Sequence, residues 1–96
     1  MNKTVLFAFC IFASATAQAA QDPEAVFNRA CGMCHNGQLP QAPKKGDQAA
    51  WKPRLTQGEA VLVQHVTQGF NAMPAGGLCA DCSADDYKGI IQWMSK

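Results

Sequence analysis

The chain has 96 residues, with eight Lys and Arg against seven Asp and Glu, a formal charge of +1 at pH 7. Near-neutrality gives no electrostatic footing for nucleic-acid binding, and this length suffices for one small domain. Such a domain buries too little surface to be stable without a staple or a large apolar centre.

Residues 1–19 read as a secretory leader. Lys3 gives a positive start, Thr4 to Ala13 is an apolar run holding Leu6, Phe7, Phe9, Ile11 and Phe12, and Ala17 and Ala19 stand where a signal peptidase prefers small residues. Cleavage is expected after Ala19, leaving residues 20–96 as the mature domain in an oxidising compartment, the periplasm. The run is shorter than the roughly 20 residues of a membrane-spanning helix. Cys10 lies within it and leaves with it. Lys3 goes too, which makes the acidic and basic residues equal in number.

Asp22-Pro23-Glu24 predicts a helix start, with Asp22 as cap, Pro23 at the first helical position and an acid in the positive first turn. The helix carries Ala25, Val26, Phe27 and Ala30 and delivers Cys31 and Cys34 on one face. Gln38 to Gly46, with Pro40 and Pro43, is expected as loop. Asp47 can cap a short helix through Trp51 that Pro53 limits. Thr56 to Glu59 fits a capping box for a third helix ending at Gly69. Ser83-Ala84-Asp85-Asp86 opens a last helix, where Tyr87, Ile90, Ile91 and Met94 recur at helical spacing. No segment alternates as a strand does. The expected fold is all-α, with about four helices.

Cys31-Gly32-Met33-Cys34-His35 carries the chemistry. Cys-x-x-Cys-His is the attachment signature of haem c: two thiols one turn apart each add to a vinyl group, and the adjacent imidazole becomes the proximal iron ligand. The competing readings are a disulfide or half a zinc site built on Cys31, Cys34 and His35. Met73 is the candidate sixth ligand, because Pro74, Gly76 and Gly77 break helix around it as a ligand-presenting loop requires. Met33 is too close to the attachment site to reach the opposite face, and Met94 belongs to the last helix's apolar stripe. His65, inside the third helix, reads as a packing or surface residue, with axial ligation as its alternative. Cys79 and Cys82 remain as an even pair, with the spacing of a structural disulfide or of a thiol-exchange motif.

Beyond the pentapeptide, Ala42-Pro43-Lys44-Lys45-Gly46-Asp47, Ala50-Trp51-Lys52-Pro53-Arg54-Leu55, Gly69-Phe70-Asn71-Ala72-Met73-Pro74 and Gly76-Gly77-Leu78-Cys79-Ala80-Asp81-Cys82 recur in order. With them the whole mature region resembles a bacterial class I cytochrome c, and within that class the cytochrome c5 family. The resemblance implies the class I fold wrapped around one covalent haem c, thioethers from Cys31 and Cys34, and His35 and Met73 as the axial pair. It implies that the carbonyl near Pro43 accepts the other His35 ring N–H, and that Trp51 and Arg54 sit near the haem propionates; for Trp51 a plain core aromatic is the competing reading. It also implies a Phe27–Trp93 contact between the first and last helices and a structural Cys79–Cys82 disulfide.

The function expected is that of a one-electron carrier, not an enzyme, between donor and acceptor proteins of a respiratory chain. The alternatives are a peroxidase-type haem enzyme and a thiol-disulfide oxidoreductase using Cys79 and Cys82. Lys44, Lys45, Lys52 and Arg54 against Asp81, Asp85 and Asp86 suggest a charge dipole that orients partners. Peripheral membrane association and the oligomeric state stay open.

Overall fold

The computed structural model describes residues 20–96 together with Thr4. The expected leader and Cys10 otherwise lie outside the described residues. Five α-helical segments follow in order: α1 (Pro23–Val26), α2 (Gly32–His35), α3 (Gln48–Leu55), α4 (Glu59–Gln68) and α5 (Ala84–Met94). A π-turn, Phe27–Cys31, joins α1 to α2, and a 3-10 turn, Ala75–Leu78, precedes α5. Among the described residues the only β pairing is an isolated bridge between Phe70 and Met73. The all-α expectation holds.

The first helix starts as its sequence dictates. The Asp22 carboxylate accepts the Ala25 N–H at 3.1 Å, and Pro23 occupies the first position, where a missing N–H is harmless. The backbone stays helical from Val26 to Gly32, so α1, the π-turn and α2 form one continuous rod. The Gly32 N–H reaches back to the Phe27 carbonyl. A Cβ at Gly32 would stand 3.0 Å from that oxygen, so the bulge is compatible with glycine there. Such a one-residue slip rotates everything after it about the axis. It re-aims Cys31 and Cys34 relative to the face that carries Val26.

Two local expectations are corrected. Helix α3 runs past Pro53 to Leu55 instead of stopping near Trp51. The proline removes only the bond to Ala49, which is exposed, so water can serve that carbonyl, and the Thr56 N–H still closes on Lys52 at 3.2 Å. The Thr56 capping box does not form. Its hydroxyl donates to the Pro53 carbonyl at 2.6 Å, and α4 begins instead at Gly58, whose φ of 98° turns the chain out of α3.

The core forms where the first rod crosses α5. Val26, Phe27 and Ala30 pack with Tyr87, Ile90, Ile91 and Met94, joined by Trp51 and Leu62. The Phe27 and Trp93 rings meet at 5.2 Å with planes inclined by 56°, as expected. Lys45 lays its ammonium 4.1 Å from the Trp93 centroid.

The crossing is tied by polar contacts as well. Ser83 and Asp86 form the expected capping box of α5. The same Asp86 carboxylate accepts the Gln21 backbone N–H at 2.7 Å and its side-chain amide at 3.1 Å. Arg29 bridges Gln21 to Asp81, at 2.7 and 3.0 Å. These backbone and Gln21 donors hold the Asp86 carboxyl below the usual carboxylate range. Asp86 is buried but keeps its charge, and Asp81 pairs with Arg29 at the surface.

Candidate functional site

The helices leave an open cavity of about 440 Å³ between α2, α5 and the loops around Met73. Cys31, Cys34, His35 and Met73 all line it, although Met73 is 38 residues further along the chain than His35. Cys31 and Cys34 are free thiols, half-buried. Burial pushes the Cys31 thiol up, and the Arg29 cation pulls it part of the way back.

His35 is nearly buried, and its Nδ1 lies 2.8 Å from the Pro43 carbonyl oxygen. A carbonyl can only accept, so Nδ1 carries the proton and Nε2 has the lone pair. Among the described residues Nε2 makes no hydrogen bond, yet it is not a sealed orphan. The Lys45 N–H donates to the His35 carbonyl at 2.8 Å, which ties the Pro43 loop to the helix it serves.

Behind His35 stands Trp51, with centroids 6.0 Å apart and planes inclined by 23°. Its indole N–H donates to the Lys44 carbonyl at 3.0 Å, and the ring does not line the cavity. Trp51 is buried in the core behind the imidazole, with its donor on the Lys44 carbonyl, as the competing core-aromatic reading expects. Arg54 does line the cavity. One guanidinium nitrogen donates to the Ala50 carbonyl at 2.6 Å, leaving the others available to a carboxylate.

Met73 is presented by a tight turn. Phe70 and Met73 exchange both backbone hydrogen bonds, at 3.0 and 2.9 Å, around Asn71 in the left-handed region. A Cβ on Gly77 would lie 3.1 Å from the Met73 methyl carbon, and its φ of 58° is a backbone conformation that favours glycine. The Cys79–Cys82 disulfide is formed and closes the chain just beyond. Cys79 is buried and Cys82 half-buried.

Other positions sort clearly. Met33 is 67% exposed and points away from the site, while Met94 is core. His65 does not line the cavity but stacks on Phe70. Cys31, Cys34 and His35 do not bring their ligand atoms together as a zinc cluster does. The one such grouping among the described residues, Cys79, Asp81 and Cys82, has both sulfurs in the disulfide.

Tyr87 is a site residue that the sequence reading placed only in the core stripe. It lines the cavity and directs its hydroxyl at the Gly76 and Cys79 carbonyls, 3.3 Å from each. Burial, and next the Asp86 carboxylate, push that hydroxyl up, so it remains a donor. Its helical spacing signals burial but carries no trace of the loop it meets.

The donor set fits a haem: an apolar cavity, two free thiols at its wall, an imidazole with its free nitrogen available, and a thioether. Comparison with known proteins agrees. Residues 18–94 match the family described as cytochrome c oxidase, cbb3-type, subunit III. Cytochrome c5 of Azotobacter vinelandii is 44% identical over 79% of this chain and 94% of its own length. Cytochrome c5 of Ectopseudomonas mendocina is 40% identical over 86% and 98%. Among solved structures, a mono-haem ferrocytochrome c from Shewanella putrefaciens superposes with a TM-score of 0.71 at 48% identity, over 82% of this chain and 98% of that one. A cytochrome c in an electron-transfer complex with nitrite reductase gives 0.68 at 31% identity, over 80% and 95%. The chain therefore belongs to the class I cytochromes c of the c5 type, electron carriers with one covalently attached haem c.

Proposed function

We propose that the protein is a periplasmic one-electron carrier, with thioethers from Cys31 and Cys34 and axial ligation by His35 and Met73. The observation that carries this reading is the convergence of all four residues on one cavity, with the Nδ1 of His35 given to Pro43 and Nε2 left for metal. When bound, haem supplies a ferric–ferrous couple, and a thioether opposite the imidazole raises its potential relative to a second imidazole.

The chain's own residues do the rest. Pro43 fixes the His35 tautomer and raises the basicity of the imidazole. Trp51 keeps the ring from rotating. Gly77, Tyr87 and the disulfide hold the Met73 loop against the cavity. Arg54 supplies donors to a half-buried carboxylate, which is costly to leave unpaired. Were His35 and Met73 both to hold the iron, no coordination site would be open to substrate, which favours a carrier over a peroxidase-type enzyme. Residues 1–19 act as the leader, removed after Ala19. Its partners are donor and acceptor redox proteins of a respiratory chain, as the nitrite reductase complex of its structural relative supports.

One experiment tests the ligand set. The oxidised holoprotein should show the near-infrared thioether-to-iron band, and the reduced form should not take up carbon monoxide. Met73→Ala should lose the band and gain carbon monoxide binding. A band that survives the substitution would overturn the Met73 assignment.

A further inference from the structure

The turn that presents Met73 leaves α4 at Gly69, and one side-chain contact across that junction is unusual. The His65 ring of α4 lies against the Phe70 ring with centroids 4.0 Å apart and planes inclined by only 14°. Phe70 lines the cavity and is half exposed. It is also the residue whose backbone exchanges both hydrogen bonds with Met73. Gly69, between α4 and this turn, has φ of 87°, a conformation that imposes little side-chain restraint of its own. A Cβ there would meet the Met73 carbonyl oxygen and the Ala75 nitrogen at 3.1 Å, so a glycine lets the two stretches of backbone pass this close.

We infer that His65 is a positioning residue for Met73: its stack on Phe70 clamps the Phe70–Met73 turn to α4 and thereby keeps the thioether at the iron. The inference rests on the assignment of Met73 as axial ligand. The physical route is short. Offset or parallel aromatic pairs contribute beyond the area they bury. Two hydrogen bonds then transmit the position of Phe70 to the backbone of Met73. Without the stack the turn hinges at Gly69, and an external ligand displaces sulfur more readily.

The test uses ferric holoprotein and imidazole as the competing ligand. In His65→Ala, imidazole should bind about tenfold more tightly, equivalent to about 1.4 kcal/mol. His65→Phe keeps a stacked ring and should stay within about twofold of the parent. If His65→Ala does not fold, His65→Leu replaces it, since it fills the space without a ring. Val63→Ala, on the same helix and packed against the core, controls for general loosening. It should lower the unfolding midpoint without changing imidazole affinity. The inference is overturned if the Ala or Leu variant binds imidazole like the parent, if His65→Phe behaves like His65→Ala, or if Val63→Ala tightens binding equally. Met73→Ala separates the two levels. Retention of the thioether band there sinks the ligand assignment itself, whatever the His65 variants do.

Discussion

The Trp51 indole lies almost parallel to the His35 imidazole, centroids 6.0 Å apart, and anchors itself through its N–H to the Lys44 carbonyl. One residue before that carbonyl is Pro43, whose own oxygen takes the His35 Nδ1–H. The imidazole is thus fixed in rotation from behind and in tautomer from the side by the same loop.

Trp51→Phe keeps an aromatic ring of smaller volume and removes the donor to the Lys44 carbonyl. The expected cost is about 1–2 kcal/mol. Trp51→Ala also opens a cavity and should cost about 3–5 kcal/mol. Denaturant unfolding of the two holoproteins measures both. A Phe variant as stable as the parent would show that the indole N–H contributes nothing.

Asp86 ties the chain's N-terminal segment to α5, and its folded pKa is depressed by the Ser83 and Gln21 donors. A depressed carboxylate contributes stability that is present above the ordinary carboxylate range and is lost as pH falls through the lower folded value. Asp86→Asn should therefore be less stable at pH 7, by about 2 kcal/mol. The gap should narrow once the pH drops below about 4. A gap that does not change between neutral and acid pH would contradict this account.

Removing the disulfide by Cys79→Ser and Cys82→Ser together should cost roughly 2 kcal/mol by the loop-length relation. Because Tyr87 holds the Cys79 carbonyl, the segment beyond Met73 should loosen but not detach. The expected signature is a weaker thioether-to-iron band whose loss deepens when Tyr87→Phe is added. Unchanged stability and an unchanged band in the double variant would refute the stiffening role.

Gly77→Ala meets two obstacles, a φ of 58° and the Met73 methyl carbon at 3.1 Å from the new Cβ. Either displaces the thioether or strains the turn, at about 1–2 kcal/mol. Imidazole should then compete more effectively with Met73 in the ferric protein. Gly46→Ala has positive φ but no neighbour within 4 Å, so it should lose stability alone and leave imidazole affinity untouched.

Much of this protein is legible in short stretches of sequence because the signals are local. Attachment needs two thiols and an imidazole within five residues, and the Asp22 and Ser83 caps act within three or four positions of themselves. The Met73 loop announces itself through Pro74 and the paired glycines. The same locality misled at Pro53 and Thr56. Whether a proline stops a helix depends on whether its orphaned carbonyl reaches water, and whether a threonine caps depends on which carbonyl competes for its hydroxyl.

Tertiary structure alone decided the rest. The amino-acid order names the iron's candidate ligands, because covalent attachment and coordination are chemistry of particular side chains. It could not say that Trp51 backs the imidazole, that Asp86 accepts from Gln21 65 positions away, or that His65 stacks on Phe70. Those relations arise when separate segments are brought together. Closing a long loop leaves no periodicity or spacing in the chain that would record which groups meet at its ends.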